Sequence, residues 1–175
     1  MKDRDKVRTT FERNARALKL RPSVGMGTAT TRARLVEGLR LEVEDGNWKH
    51  SVDMSEKSGG SGSAPDPGVY GRTALASCLS IAYAMWAANL GVDITALEVE
   101  VQADYNSAPA YGASDDPPGY RQVRYTVTIE SESPEEEVLD MLDQSDAHCA
   151  YLDIFKRPLD VQRTVKIKQA AGTGS

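Results

Sequence analysis

Residues 69–90 form a long apolar segment that limits what this chain can fold into. Its centre, ALASCLSIAYAMWAA at residues 74–88, is apolar on nearly every side of a helix, and Gly91 follows as a typical helix end. Such a helix has to be covered on both faces, so we expect a sheet on one side and a second helix or another subunit on the other. The run is short for a bilayer span and contains a cysteine and two serines, which favours a buried core helix.

Length, charge and composition limit the domain size, the binding partners and the localisation that we expect. The chain has 175 residues, of which 40% are hydrophobic, enough for one domain with a core or one protomer of an intimate dimer. Its net charge of -5 argues against a nucleic-acid partner and against an anionic membrane surface. The charged start, MKDRDKVRTTFERNARALK, lacks the apolar core of a signal peptide, so we expect a cytoplasmic protein.

The first third of the chain predicts a helix followed by a strand meander. Residues 3–20 carry an amphipathic helical pattern, and Pro22 ends it. Residues 25–54 alternate apolar and polar side chains around the turn at Gly46, which predicts two or three strands. Residues 55–68 form a Gly/Ser/Pro loop, and two interpretations stay open: a simple connector, or the mouth of a pocket beside the apolar helix.

The second half predicts an antiparallel pair of strands, two helices and a last strand. Residues 94–105 and 121–130 alternate cleanly and are joined by a loop rich in breakers. Ser133 resembles a helix N-cap, and helical pattern continues with one break until Pro158. Residues 159–168 alternate again. The order of elements predicts an α+β fold with a largely antiparallel sheet.

Cys78 and Cys149 are the two cysteines of the chain, and their spacing excludes a CxxC metal or thioredoxin motif. They are either core-filling thiols or a redox pair whose sulfurs meet in space. A buried thiol needs a nearby cation to ionise, and Cys149 follows Asp146, a possible N-cap whose helix amides would favour a thiolate. The candidate cations are Arg32, Arg34, Arg40, Arg72 and Arg163.

Other chemistry has little support in the sequence. The possible metal ligands are His50, His148 and the two cysteines, and no two of them have the short sequence spacing that is typical of a metal site. We therefore expect no metal site. The chain also lacks a phosphate-binding glycine loop and a nucleophile-elbow motif, so we expect no bound cofactor.

The segment GRTALASCLSIAYAMWAANLGVDI, the preceding loop SGGSGSAPDPG and the position of Cys149 before a last strand resemble the OsmC/Ohr family of osmotically inducible and organic-hydroperoxide-resistance proteins. The resemblance is most specific over residues 68–105. It implies an OsmC-like fold in which a six-stranded, largely antiparallel sheet wraps around two central helices of an intertwined homodimer. The implied domains are an N-terminal helical extension at 1–24, the OsmC-like domain at 25–170 and a flexible tail at 171–175.

The same resemblance implies a thiol-dependent peroxidase, a peroxiredoxin-like hydroperoxide reductase acting in oxidative stress defence. Cys78 would attack an organic hydroperoxide and become a sulfenic acid, and Cys149 would then form a disulfide with it. Arg32, with Arg34 as the alternative, would be the activating arginine. An external dithiol such as dihydrolipoamide, or a protein thiol, would reduce the disulfide.

Two positions depart from the family pattern. Gly68 stands where the peroxidase members carry a glutamate, and Ala150 follows the second cysteine where proline is usual. With these differences the chain resembles the broad OsmC-like branch more than the dedicated organic-peroxide enzymes. Gly68 in place of the glutamate also supports an alternative function: a non-catalytic dimer that binds a small apolar or acyl ligand at the subunit interface, with both cysteines as packing residues.

Overall fold

The structure, a computed structural model, describes residues 3–169 as an α+β fold. Within that range the chain forms four α-helices and five strands, joined by short 3-10 turns. In chain order these are α1 (Arg4–Leu20), β1 (Thr31–Glu37), β2 (Arg40–Asp45), β3 (Trp48–Val52), α2 (Pro67–Leu90), β4 (Ala96–Tyr105), β5 (Tyr120–Glu130), α3 (Glu135–Asp146) and α4 (Ala150–Lys156).

Helix α2 is the predicted apolar helix, and its ends follow from local chemistry. The Asp66 carboxylate accepts a hydrogen bond from the Val69 backbone N–H at 3.0 Å, and Pro67 occupies the first turn, where no N–H is needed. Gly91 ends the helix with φ 85°, a left-handed conformation that costs glycine little. The helix begins slightly earlier than residues 69–90 because the cap recruits Pro67 and Gly68.

The rest of the fold covers α2 unequally. Leu75, Leu79 and Tyr83 are buried against β4, β5, α3 and α4. Helix α1 lies against another side of α2, yet Ile81 remains 61% exposed. By length and hydropathy alone α2 would also pass as a membrane-spanning helix, as core helices often do. The expected sheet and second helix are present, and one apolar strip stays open.

The strands form two separate sheets, which corrects the expected six-stranded sheet. In the described residues β1, β2 and β3 pair antiparallel in that order, and β4 pairs antiparallel with β5. The predicted last strand is wrong: residues 159–168 contain no strand, and their apolar side chains are exposed. The physical reason is pairing, because among residues 3–169 no strand runs beside this segment to satisfy its backbone groups.

Two helix starts also differ from expectation. Ser133 does not cap α3; its hydroxyl accepts a hydrogen bond from the Asp93 N–H at 2.9 Å, and Pro134 precedes the helix. Asp146 ends α3 instead of capping α4, whose first flanking residue is Cys149 itself. The division into 1–24, 25–170 and 171–175 stays a prediction, and the tail at 171–175 lies outside the described residues.

Candidate functional site

The two cysteines lie side by side although they are far apart in sequence. The Cys149 Sγ is 3.6 Å from the Cys78 Sγ, and both are free thiols. Cys78 sits midway along α2 and is half-buried, whereas Cys149 sits at the start of α4 and is 2% exposed. A disulfide needs sulfurs about 2 Å apart, so a small shift of one side chain would join them. The structure thus brings together two of the three predicted site residues.

A cleft of about 730 Å³ opens beside the sulfur pair. Its wall combines residues of α1, α2, α4 and the turn before α4, and most of them are apolar. Besides the two cysteines, its larger side chains are Phe11, Ile81, Met85, Trp86, His148 and Tyr151. Because Cys78 is the more exposed sulfur, it is the one that a molecule in the cleft can reach first.

The turn that carries Cys149 is tied to the core by one carboxylate. Asp146 accepts hydrogen bonds from the hydroxyls of Tyr83 at 2.6 Å and Tyr125 at 2.5 Å. Burial and this carboxylate raise the pKa of Tyr125 to about 12, and they raise the pKa of Tyr83 as well. Both hydroxyls therefore stay protonated and keep donating to Asp146 over the physiological range.

The environment of Cys149 favours its thiol form. Burial raises the pKa of Cys149, and the neighbouring sulfur of Cys78 acts in the same direction. The backbone N–H groups of Leu152 and Tyr151, in the first turn of α4, act the other way but do not cancel the effect of burial. The expected thiolate preference at this helix start is therefore not what the structure favours.

Three aromatic rings in contact with one another lie along the cleft wall. The Phe11 and Trp86 rings meet edge to face with centroids 5.3 Å apart, and the Trp86 and His148 centroids are 4.9 Å apart. The sequence analysis assigned none of these rings to the site. The available signals were that Trp86 lies two helical turns after Cys78, on the same face of α2, and that His148 adjoins Cys149.

The candidate arginines lie elsewhere in the single chain. Arg32 is exposed on β1 opposite Glu44, and Arg34 forms an ion pair with Glu42 at 2.5 Å. Arg72 Nη1 is 3.4 Å from the Tyr120 hydroxyl. Among the described residues that line the cleft there is no arginine or lysine. The role of Arg32 therefore stays a prediction.

The loop before α2 is organised away from the cleft. The buried Asp53 carboxylate accepts hydrogen bonds from Ser61 and Ser63, through both their hydroxyls and their backbone amides. These bonds hold the pKa of Asp53 well below its usual range. Since no residue of this loop lines the cleft, the loop acts in this chain as an ordered connector.

Gly68 lies in the first turn of α2, and its surroundings show what a side chain there would meet. Its carbonyl accepts a hydrogen bond from the Tyr120 hydroxyl at 3.1 Å. A Cβ at this position would lie 3.1 Å from Asp66 Oδ1 and 3.2 Å from Arg72 Nη1. The position that the family glutamate would occupy is thus crowded and next to an arginine of α2.

Comparison of folds relates the chain to several solved structures at low sequence identity. An OsmC-like protein from Mycoplasma pneumoniae superposes with a TM-score of 0.64 at 17% identity, covering 74% of this chain and 88% of that one. An organic hydroperoxide resistance protein OsmC from Legionella pneumophila superposes with a TM-score of 0.55 at 16% identity, covering 75% of this chain and 90% of that one. An organic hydroperoxide resistance protein from Elizabethkingia anophelis superposes with a TM-score of 0.58 at 15% identity, covering 75% of this chain and 89% of that one. These likenesses establish the fold.

Sequence comparison gives the family. No curated protein matches the chain significantly. The sequence model of the OsmC-like protein family, however, matches residues 60–163, which is more than half of the chain and includes both cysteines. The match also spans the cleft residues of α2 and of the turn before α4. The chain therefore belongs to the OsmC-like protein family.

Proposed function

We propose that this protein is a thiol-dependent peroxidase that reduces organic hydroperoxides through a Cys78–Cys149 disulfide. The observation that carries the proposal is the contact of the two sulfurs at 3.6 Å beside an open, mainly apolar cleft. Family membership and the hydroperoxide resistance names of two structural neighbours support a role in oxidative stress defence.

The order of steps follows from the exposure of the two thiols. The Cys78 thiolate attacks one oxygen of the O–O bond, that bond breaks, and the alkoxide leaves as an alcohol after taking up a proton. Cys78 is now a sulfenic acid. The buried Cys149 thiol then attacks the Cys78 sulfur, the S–S bond forms and water leaves. An external dithiol such as dihydrolipoamide, or a protein thiol, reduces the disulfide by exchange.

The proposal includes a homodimer, which the exposed apolar surfaces support. Helix α2 exposes Ile81, and all seven residues of β1 are exposed. Residues 159–168 expose Leu159, Val161, Val165 and Ile167 and have no strand partner among residues 3–169. A second copy of the chain would cover these surfaces and give the segment a neighbour. In that assembly Arg32 would come from a face that the single chain leaves uncovered. Sedimentation at several protein concentrations tests the dimer.

The alternative function is binding of a small apolar or acyl ligand without catalysis. Two observations favour it: the cleft wall is mainly apolar, and Gly68 offers no carboxylate to orient an arginine. In that case both cysteines would be packing residues. A ligand series in a thermal shift assay, with a fatty acid and an acyl thioester as probes, tests this function independently of redox chemistry.

Intact mass after one equivalent of cumene hydroperoxide tests the peroxidase. We expect the reduced protein to lose two hydrogens and to yield a tryptic peptide pair linked through Cys78 and Cys149. Cys78→Ser should consume no hydroperoxide, while Cys149→Ser should stop at a sulfenic acid that dimedone traps. An unchanged mass with two free thiols would reject the peroxidase and favour the ligand-binding function.

A further inference from the structure

Helix α1 is a weakly packed element of this fold. It lies on α2 and on the 3-10 turn that follows it, and none of its 17 residues is buried. The half-buried residues of α1 include two larger apolar side chains, Val7 and Phe11. Helix α2, by contrast, buries Leu75, Leu79 and Tyr83. A segment that buries so little apolar surface opens at a lower free energy than the core does.

The two ends of α1 are also weakly fixed. Asp3 precedes the helix with φ 68°, and its side chain accepts no capping hydrogen bond, so the first backbone N–H groups lack the partner that a capped helix has. After the helix, residues 21–30 are all exposed, and residues 26–30 have no regular structure. This segment can change its backbone angles without disturbing a packed core, which suits it to act as a hinge.

An ion pair joins the start of α1 to the segment after α2. Arg4 Nη1 lies 3.2 Å from Asp93 Oδ1, and both side chains are half-buried. Among residues 3–169 this is the one ion pair between α1 and another part of the fold. A Cβ at Gly91 would lie 3.9 Å from Arg4 Nη2, so the guanidinium is beside the C-terminus of α2, where a helix favours a cation. The position of α1 thus depends on a contact that salt weakens.

Phe11 connects the position of α1 to the cleft beside Cys78. It is the one residue of α1 in the cleft wall, as far as the described residues extend, and its ring meets Trp86 edge to face. A second, mainly apolar groove of about 820 Å³ runs along α1 and shares Phe11 and Met85 with the cleft. These two side chains therefore separate the two spaces. Moving α1 away from α2 would withdraw Phe11 and join the spaces into one.

We propose that α1 is a movable cover of the cleft that controls the size of the molecules that reach Cys78. In the closed position, which is the one in this structure, Phe11 narrows the cleft and only small molecules enter. When the Arg4–Asp93 pair breaks, α1 moves off α2 about residues 21–30, and bulky molecules enter as well. The proposal concerns access to Cys78, so it does not depend on which of the two functions above the protein has.

The chain offers a matched pair of variants on α1 itself. Arg4→Gln removes the ion pair to Asp93, whereas Arg8→Gln removes an ion pair to Asp5 within the same helix. Both variants change the net charge equally, and only the first loosens α1 from the rest of the fold. Asp93→Asn tests the same contact from the other side, because it removes the negative charge and keeps the backbone hydrogen bond from residue 93 to Ser133.

Two measurements, both in a Cys149→Ser background, report the same opening. Hydrogen exchange of the α1 backbone amides measures detachment of the helix, and in the parent these amides should exchange faster than those of α2. The rate of Cys78 alkylation by N-(1-pyrenyl)maleimide, divided by the rate with the small reagent iodoacetamide, measures the access of a bulky molecule. We expect Arg4→Gln and Asp93→Asn to raise α1 exchange and the alkylation ratio by the same factor, at most about fivefold for a half-exposed ion pair.

Two controls separate loosening of α1 from general effects of the substitutions. Arg8→Gln should match the parent in both measurements. Added sodium chloride should raise the alkylation ratio in the parent but not in Arg4→Gln, where no ion pair is left to screen. Thermal midpoints and unchanged exchange of the α2 amides should confirm that all variants are folded.

Equal protection of the α1 and α2 amides in the parent would overturn the proposal, because α1 would then not detach by itself. Faster α1 exchange in Arg4→Gln with an unchanged alkylation ratio would overturn it as well, because the helix would then move without limiting access to Cys78. Hydroperoxide consumption is measured separately, on the protein with both cysteines. Absence of consumption would reject the peroxidase and leave the cover in place.

Discussion

Two carboxylates hold the segments that lead to the two cysteines, and they use different donors. Asp53, before α2 and Cys78, accepts hydrogen bonds from backbone amides and serine hydroxyls of residues 54–63. Asp146, the last residue of α3 and three residues before Cys149, accepts from two tyrosine hydroxyls of α2 and β5. The first carboxylate orders a loop, whereas the second joins distant elements.

The sequence separation of the donors explains the difference. Ser61 and Ser63 are 8 and 10 residues from Asp53, so the loop closes within one short segment. Tyr83 is 63 residues from Asp146 and lies on the helix that carries Cys78. The Asp146 contacts therefore set the position of one cysteine relative to the other, and the Asp53 contacts do not.

The largest effect on stability is expected for Asp53→Asn. An amide cannot accept all the hydrogen bonds that the carboxylate accepts, and its NH₂ group would face backbone N–H donors. We expect a clear fall in the urea midpoint of unfolding, with the rate of disulfide formation in the folded protein nearly unchanged. Asp66→Asn is the control. Because asparagine caps a helix about as well as aspartate, the urea midpoint of this variant should equal that of the parent protein.

Acid titration checks the same carboxylate. The folded-state pKa of Asp53 lies below its unfolded value of about 4, so its contribution is present above that pH and is lost as the pH falls further. The stability of the parent protein should therefore decline more steeply below about pH 4 than that of Asp53→Asn. If the stability of both proteins declined equally with falling pH, the Asp53 hydrogen bonds would not stabilise the native loop.

An intermediate effect is expected when the Asp146 contacts are removed. Tyr83→Phe and Tyr125→Phe each delete one hydroxyl that donates to the carboxylate, at a cost of about 1–3 kcal/mol in the free energy of unfolding. Unlike Asp53→Asn, they should also slow closure of the Cys78–Cys149 disulfide after Cys78 is oxidised. Rapid mixing with hydroperoxide, followed by acid quench and mass analysis, measures that step.

The double variant sharpens this result. Because both hydroxyls donate to one carboxylate, the two losses should not add, and the coupling appears in a double-mutant cycle. Additive losses with an unchanged closure rate would mean that Asp146 does not position Cys149.

Alkaline pH gives a smaller effect with a defined window. The pKa of Tyr125 is raised to about 12 in the folded protein, above its unfolded value of about 10. Its stabilising contribution is therefore complete below about pH 10 and is lost as the pH rises toward about 12. Unfolding curves across this range should show a decline that Tyr125→Phe reduces, and a decline equal in both proteins would contradict the assignment.

The last prediction concerns substrate binding and not stability: Phe11→Ala opens the cleft on the side of α1. Phe11 lines the cleft and meets Trp86 edge to face, so its removal should raise KM for cumene hydroperoxide by about tenfold at most and leave kcat nearly unchanged. The smaller tert-butyl hydroperoxide should be less affected. Val7→Ala, on the same helix but outside this cleft, is the control, and equal KM values would remove Phe11 from the site.

Several features of this protein follow from the sequence alone. The apolar run around Cys78, with Gly91 at its end, predicts a helix that has to be covered, and the alternation in β4 and β5 predicts an antiparallel pair. These predictions succeed because a helical or alternating pattern is a local property of the chain. The resemblance carried by the segment around Cys78 also pointed to the family that the family match confirms.

Only the tertiary structure decided which groups surround the sulfurs. The Tyr83 and Tyr125 hydroxyls meet Asp146, and Phe11, Trp86 and His148 line one cleft, because elements far apart in sequence pack together. The prediction of a sixth strand at residues 159–168 was wrong for the same reason. The alternation there shows only that the segment is suited to a sheet. Whether it forms a strand depends on a neighbour that supplies backbone hydrogen bonds, which no local pattern encodes.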